Sequence, residues 1–468
     1  MPDVAIATPN QAAADAGEAV ARAGGNAVDA ALAAALVTMV NEVGLVSLSS
    51  GGFVTVQPAG GAAPYTVDGW MDMPGRGRPL GGGTWDIHTE YGGGIDITIG
   101  PGSVAAHGSV AALEEAHRRD GRLPWREVVA PAVDVARGGF RLGVASRYYL
   151  EYVHESIFGW DDASRAALHD DHGELVTDLV VLPDLVRSLL LIAEEGAATL
   201  HTGELAELIT TDVLARGGVL GPEDLAAYQP VVRPSLVTEA GGWRLATTPP
   251  PSVGGLSVIA MLRLLDGWDP DDQGVPDDTE RLVEVQRAVL GQGPASLLES
   301  GSTAHCSATD SDGRACAVTV SSGYFSGMIA AGTGIWLNNT LGEQELNPGG
   351  LHALAPGSRL LSNMAPTVGR QADGSVLALG SPGAGRIATA IAQVLARFVG
   401  GLGLQEAIHH PRVHVHDAGR PTEVVKRESE EGLTMYYGGV AATLLRPDGR
   451  LVAAADPRRE GAVRIVRA

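Results

Sequence analysis

From Thr303 to the C-terminus the apolar residues fall in short, strand-length runs, whereas before it most of them recur at helical spacing. Residues 304–309, 315–321, 335–337 and 375–379 are expected to be strands, and 387–399 a helix. Upstream, 11–23 and 27–39 read as Ala-rich helices separated by the Gly24-Gly25 stop, and a strand is expected at 52–56. Residues 178–194 and 204–214 read as amphipathic helices, and 256–265 as a helix entered from the rigid Pro249-Pro250-Pro251 segment. The Gly-rich stretch 74–102 is expected to be loop, and 266–278 is acidic and rich in turn formers. The coarse pattern is α/β, helix-rich first and strand-rich in the last third, with no fixed-period repeat. At 468 residues it suits two or three domains, or one large body cut in two by processing.

Aromatic residues make up only 4% against 63 glycines, so the core must be built mainly from Ala, Val, Leu and Ile. A formal net charge of −22 argues against nucleic acid, because phosphate binding needs clustered Lys and Arg. An anionic small substrate remains open, since one buried Arg sets a local potential whatever the total charge. Cys306 and Cys316 flank an Asp310-Ser311-Asp312-Gly313 turn signal, which predicts thiols facing each other on adjacent strands, read as two small buried residues. The first residues lack the basic start and apolar run of a signal peptide, and no apolar stretch reaches membrane-spanning length, so the expected compartment is the cytoplasm.

Two segments imitate other chemistries. Residues 380–387 carry two glycines at P-loop spacing but lack its Lys and Ser/Thr, so nucleotide binding is not expected. His409, His410, His414 and His416 cluster without a helical zinc spacing, so a structural role is expected. No metal or cofactor is assigned.

Several motifs follow one another in a fixed order. They are Gly24-Gly25-Asn26-Ala27-Val28-Asp29-Ala30-Ala31, Pro249-Pro250-Pro251-Ser252-Val253-Gly254-Gly255, Thr303-Ala304-His305-Cys306-Ser307 and Gly334-Ile335-Trp336-Leu337-Asn338-Asn339. Ser362-Asn363-Met364-Ala365-Pro366-Thr367, Gly380-Ser381-Pro382-Gly383 and Ala455-Asp456-Pro457-Arg458-Arg459 complete the set. Together they resemble the gamma-glutamyltranspeptidase family of N-terminal-nucleophile hydrolases over nearly the whole chain, and the order makes the resemblance specific.

The resemblance implies an α+β fold, a four-layer αββα sandwich, self-cleaved into a large subunit (1–302) and a small one (303–468) that stay together as a heterodimer. Thr303 would attack the carbonyl of Ser302, shift the peptide to an ester, and become a new N-terminus after hydrolysis. Its α-amine, with a pKa near ~8 in model peptides, would then serve as general base for its own hydroxyl. Ser302 is the rival nucleophile, one residue out of register with His305 and Ser307. Ser321 matches the hydroxyl that hydrogen-bonds the nucleophile, and the backbone N–H groups of Gly383 and Ala384 match the oxyanion hole.

By the same resemblance Arg78, with Arg76 as the reserve, would grip a substrate carboxylate together with Ser362 and Asn363. Thr340 and Glu343 stand where the family binds the substrate α-amine; Thr340 replaces Glu or Gln, Glu343 replaces Asp, and an expected Asn after Ser321 has no counterpart. The segment before Thr303 and the link from Asn339 to Ser362 are short, which predicts an open site and hydrolysis rather than transpeptidation. Three functions are therefore weighed: a hydrolase or transferase of gamma-glutamyl amides such as glutathione, an amidohydrolase of another small carboxylate-bearing amide, and an unprocessed binding scaffold.

Overall fold

The computed structural model describes residues 1–468 except 79–80, 92–93, 269–277, 292–301, 345, 348, 430–432 and 468. Part of the expected acidic turn-rich stretch, the Gly92-Gly93 pair and most of the segment before Thr303 lie outside the described residues.

Two antiparallel sheets form the centre. One has seven strands in the order β19 (Ala462–Val466), β1 (Val4–Thr8), β9 (Ser302–Asp310), β10 (Ala315–Gly323), β2 (Gly51–Gln57), β3 (Tyr65–Gly69) and β6 (Val231–Pro234). The other has six, β18 (Leu451–Ala455), β17 (Ala441–Leu445), β14 (Val376–Gly380), β13 (Thr367–Gln371), β8 (Trp243–Thr247) and β7 (Leu236–Ala240). Residues packed between them include Ala5, Ala246, Ala315, Ala317, Val368 and Ala378, so small side chains let the sheets approach closely.

Helices cover both outer faces and complete the αββα sandwich. The seven-stranded sheet carries α1 (Gln11–Arg22), α2 (Ala27–Asn41) and α3 (Ser109–Asp120), and α4 (Trp125–Gly138) packs on α1 and α2. Further out lie α5 (Val144–Phe158), α6 (Asp162–Leu168), α7 (Pro183–Glu195), α8 (Glu204–Ala215) and α9 (Pro222–Ala227). The six-stranded sheet carries α10 (Gly254–Leu264), with α11 (Asp278–Leu290) packed on α10 and on residues 413–416, and also α12 (Ile387–Val399) and α13 (Leu404–His409). Hairpins β4 (Trp85–Thr89) with β5 (Ile95–Ile99), β11 (Ile329–Ala330) with β12 (Ile335–Trp336), and β15 (Val413–His416) with β16 (Val424–Arg427) stand apart. Among the described residues no helix is long and apolar enough to cross a membrane.

Every residue of α2 is buried, and its start explains the first motif. Asn26 caps the helix and Asp29 closes a capping box back to the Asn26 N–H at 2.9 Å, a device that contributes about 1 kcal/mol. Gly25 is required because a Cβ there would lie 2.9 Å from the Val20 carbonyl.

Three expectations need correction. The 74–102 stretch contains the β4–β5 hairpin; its alternating Ile95, Ile97 and Ile99 carried a strand signal that the flanking glycines masked. The helix expected from 178 begins at Pro183, because Val180 is taken into a bridge with Phe140 and Pro183 fits the first helical turn. The thiols do not face each other: Cys306 pairs with Val318 and Cys316 with Ala308. The Asp310 carboxylate accepts from the N–H groups of Asp312 and Arg314, so the loop closes between Thr309 and Ala315 and shifts the register by two. Both thiols are buried and free, and burial pushes Cys306 up to about 12.

Candidate active site

Successive side chains of β9 alternate between two environments. Cys306 lies on the helix side, its Sγ 3.6 Å from Thr38 Oγ1. Ser307 donates to the Ala441 carbonyl of the second sheet at 3.1 Å, and Thr309 Oγ1 meets Thr443 Oγ1 at 2.7 Å. His305 shares that inward face, its ring nitrogens 2.8 Å from Thr319 Oγ1 and from Ser307 Oγ. Burial pushes His305 down to about 3, so it is neutral and serves as a packed hydrogen-bonding group. Gly380, at the end of β14, is fixed by this ring, since a Cβ would come within 2.4 Å of it.

By this alternation Thr303 also faces the second sheet, at the start of β9. It is 1% exposed, and its Oγ1 has no hydrogen-bond partner among the described residues. The register sets Ser321 directly across from it, and the ladder then bulges so that Gly323 pairs with Ser302. Ser321 Oγ accepts from the Gly323 N–H at 3.2 Å. Next to Ser321, Ser322 Oγ lies 2.7 Å from Ser50 Oγ and 3.2 Å from Ser47 Oγ, which ties the end of β10 to the loop before β2.

Gly323, at φ 67°, leads into the Asn339–Glu343 segment: a Cβ there would lie 2.4 Å from Asn339 Oδ1 and 2.9 Å from Glu343 Oε1. Asn339 Oδ1 accepts from the Tyr324 N–H at 2.6 Å. Thr340 and Glu343 are both buried here, so the structure gathers Thr303, Ser321, Gly323, Thr340 and Glu343 around the bulged end of β10.

The Gly383-Ala384 turn follows β14 and enters α12 with positive φ at both residues, 128° and 56°. The C-terminal motif braces it. Asp456 binds Arg412 Nη2 at 2.6 Å and the Val440 N–H at 2.9 Å, and Arg412 Nη1 donates to the Tyr437 carbonyl at 2.9 Å. The segment so held places Gly438 against Gly383, where a Cβ would meet the Gly438 Cα at 2.9 Å, and the Gly439 N–H donates to Ser381 Oγ at 3.1 Å.

The two arginines part company. Arg78 pairs with Glu223 at 3.1 Å on a surface edge. Arg76 lies with its guanidinium against Gly357, on the segment that runs to Ser362 and Asn363. Ser362 accepts from the Val253 N–H at 2.8 Å, and Gly254 lets the Asn363 carbonyl approach, since a Cβ would sit 2.0 Å from it. The proline-rich motif is thus the seat of Ser362-Asn363. The four histidines of 409–416 are dispersed: His414 meets Thr389 Oγ1 at 3.2 Å, His410 its neighbouring Pro411 carbonyl, and His416 sits beside Asp417.

The sequence matches the gamma-glutamyltranspeptidase family over residues 13–298 and 292–466. The chain belongs to that family. It is an enzyme of the hydrolase and transferase type found there. It is 27% identical to the glutathione hydrolase proenzyme of Escherichia coli K12, over 97% of this chain and 90% of that protein. It is also 27% identical to the acylase ACY 1 proenzyme of Pseudomonas sp. SE83, over 97% and 92%. The crystal structure of a cephalosporin acylase from Bacillus halodurans superposes with a TM-score of 0.82 at 20% identity, covering 99% of this chain and 96% of that one, and shares the fold.

The motifs shared with the gamma-glutamyltranspeptidase family do not include Asp72, Arg359 or Glu42. Arg359 binds Asp72 at 3.1 Å, and burial pushes the Asp72 carboxyl up to about 6. None of the three has a local pattern: each is defined by a partner far along the chain.

Proposed function

We propose that this chain cleaves itself before Thr303 and then hydrolyses gamma-glutamyl amides such as glutathione through an acyl-Thr303 intermediate. The supporting observation is the Thr303 hydroxyl, buried without a partner among the described residues at the head of a central strand, opposite Ser321 and facing the sheet that ends in the Gly383-Ala384 turn. In the first reaction Thr303 Oγ adds to the Ser302 carbonyl carbon, the peptide C–N bond breaks, and the nitrogen leaves as the Thr303 amine. Water then hydrolyses the ester, leaving a carboxylate on Ser302. In each turnover the amine takes the Oγ proton as Oγ attacks the substrate carbonyl, and it returns that proton to the departing amine. Water releases the acyl group by the same route reversed. The N–H groups of Gly383 and Ala384 receive the oxyanion, a role worth about 3 kcal/mol per donor.

The two products, 1–302 and 303–468, remain a heterodimer in this reading because they interleave. β9 and β10 of the second part lie between β1 and β2 of the first, and β8 pairs with β13. Separation would expose both sheet cores to water.

A second acyl group is favoured by one feature: Gly323 offers no side chain to a substrate amine, which leaves Glu343 as the charged partner beside it. Intact mass under denaturing conditions tests the cleavage. The expected result is pieces of about 31 and 17 kDa, in proportion to 302 and 166 residues of 48.2 kDa, the smaller beginning at Thr303. A chain that stays at 48.2 kDa after long incubation overturns the reading. Hydrolysis of gamma-glutamyl against glutaryl p-nitroanilide, which lacks the α-amine, then decides the acyl group.

A further inference from the structure

A cavity of about 470 Å³ opens at the Thr303 end of the seven-stranded sheet, on the helix side rather than the side that Thr303 faces. Its floor carries an acid and a base, both buried: Glu42 at 2% and Arg459 at 8% exposure. The Glu42 carboxylate is held by Asn10 Nδ2 at 2.6 Å on one oxygen and by Ser146 Oγ at 2.9 Å on the other. Arg459 Nε has no partner among the described residues. Each side chain lies in the electrostatic field of the other, yet no ion pair within 4 Å joins them. Asn41 faces Asn10 across the floor at 3.2 Å, and Val135, Phe140, Val144 and Leu179 form an apolar wall.

Two opposite charges buried close together but out of contact are costly, because each has left water without gaining the other. A ligand carrying only one charge relieves one of them. A zwitterion relieves both: its carboxylate meets the guanidinium and its ammonium meets Glu42. The apolar wall accommodates a hydrocarbon side chain beside that headgroup. We propose that this cavity is a second small-molecule site, which binds an apolar α-amino acid by its zwitterionic headgroup. The site abuts the catalytic machinery without belonging to it. The Arg459 stem packs on Gly439, where a Cβ would lie 2.5 Å from its Cδ, and the adjoining Gly438 supports Gly383.

The test is calorimetric binding of L-leucine to the purified full-length protein at pH 7. Binding is expected, with 4-methylpentanoate (no amine) and isopentylamine (no carboxylate) each at least about tenfold weaker. Arg459→Gln and Glu42→Gln should each weaken L-leucine by about tenfold or more, whereas Glu343→Gln should not. The analogue series on the wild-type chain decides the matter even if a variant fails to fold. No binding up to about 10 mM, equal binding of either singly charged analogue, or loss with Glu343→Gln instead of Arg459→Gln overturns the proposal. Because binding is read and not turnover, a Thr303→Ala chain serves equally well, and failure of the nucleophile reading leaves this result distinct.

Discussion

Arg359 Nε lies 3.1 Å from Asp72, and the two residues also pair through their backbones in a short antiparallel bridge. The same guanidinium donates to the Tyr228 hydroxyl at 2.6 Å, sits 4.8 Å over that ring, and donates to the Gln229 carbonyl at 2.8 Å. The contact fastens the segment leading to Ser362 and Asn363 onto the strand exit that carries Arg76.

This arrangement sets a pH dependence. Burial, reinforced by the negative charge of Asp68, raises the Asp72 carboxyl to about 6 against the pull of Arg359 and Arg76. A carboxyl raised in the folded state is protonated there when it is already ionised in the unfolded chain. Its contribution to stability is therefore complete below pH ~4, falls between ~4 and ~6, and is flat above. Thermal unfolding of wild type and Asp72→Asn across pH 4 to 8 checks this. The variant should gain on wild type through that window and hold a constant difference beyond it.

At the proposed nucleophile, Thr303→Ala should leave an uncut chain with no amidase activity, read by intact mass. Ser321→Ala should still cleave itself, more slowly, and lose about tenfold in kcat, the value of one hydrogen bond of about 1.4 kcal/mol. Equal loss in both variants would place Ser321 on a par with the nucleophile, against its role as a supporting hydroxyl.

Glu343 and Gly323 give a separable pair of outcomes. Glu343→Gln should raise KM for gamma-glutamyl p-nitroanilide while leaving glutaryl p-nitroanilide little changed, since only the first carries an amine. Gly323→Ala places a methyl group on Asn339 and Glu343 at a position with φ 67°, so both substrates should suffer and the protein should lose about 1 kcal/mol or more.

The thiols should be inert in the native protein. Cys306 and Cys316 are buried, and burial raises both above the ordinary thiol range. Iodoacetamide at pH 8 should label neither until the chain is unfolded in guanidinium, when mass spectrometry should find both modified.

Much of the candidate site was legible because its residues sit in motifs whose spacing is local. Thr303 and Ser321 occupy facing strands joined by one hairpin, and Gly383-Ala384 sits at a strand-to-helix turn with a glycine signature. The alternation of β9 also follows from sequence, since a strand presents every second residue to one face. The limits show at the same places. The hairpin register depends on how Asp310 folds the loop, which two turn residues alone do not specify. The β4–β5 hairpin hides among glycines, and Arg76 and Arg78, separated by one residue, face different partners.

The sequence by itself determined the family, the strand bearing Thr303 and the order of the parts, because these rest on short-range patterns and their succession along the chain. Tertiary structure alone decided the pairings of Asp72 with Arg359, the separation of Glu42 from Arg459, and the bracing of Gly383 by the C-terminal motif. Such contacts join residues far apart in sequence, and their energies depend on burial and on distance in space, neither of which is encoded in local spacing.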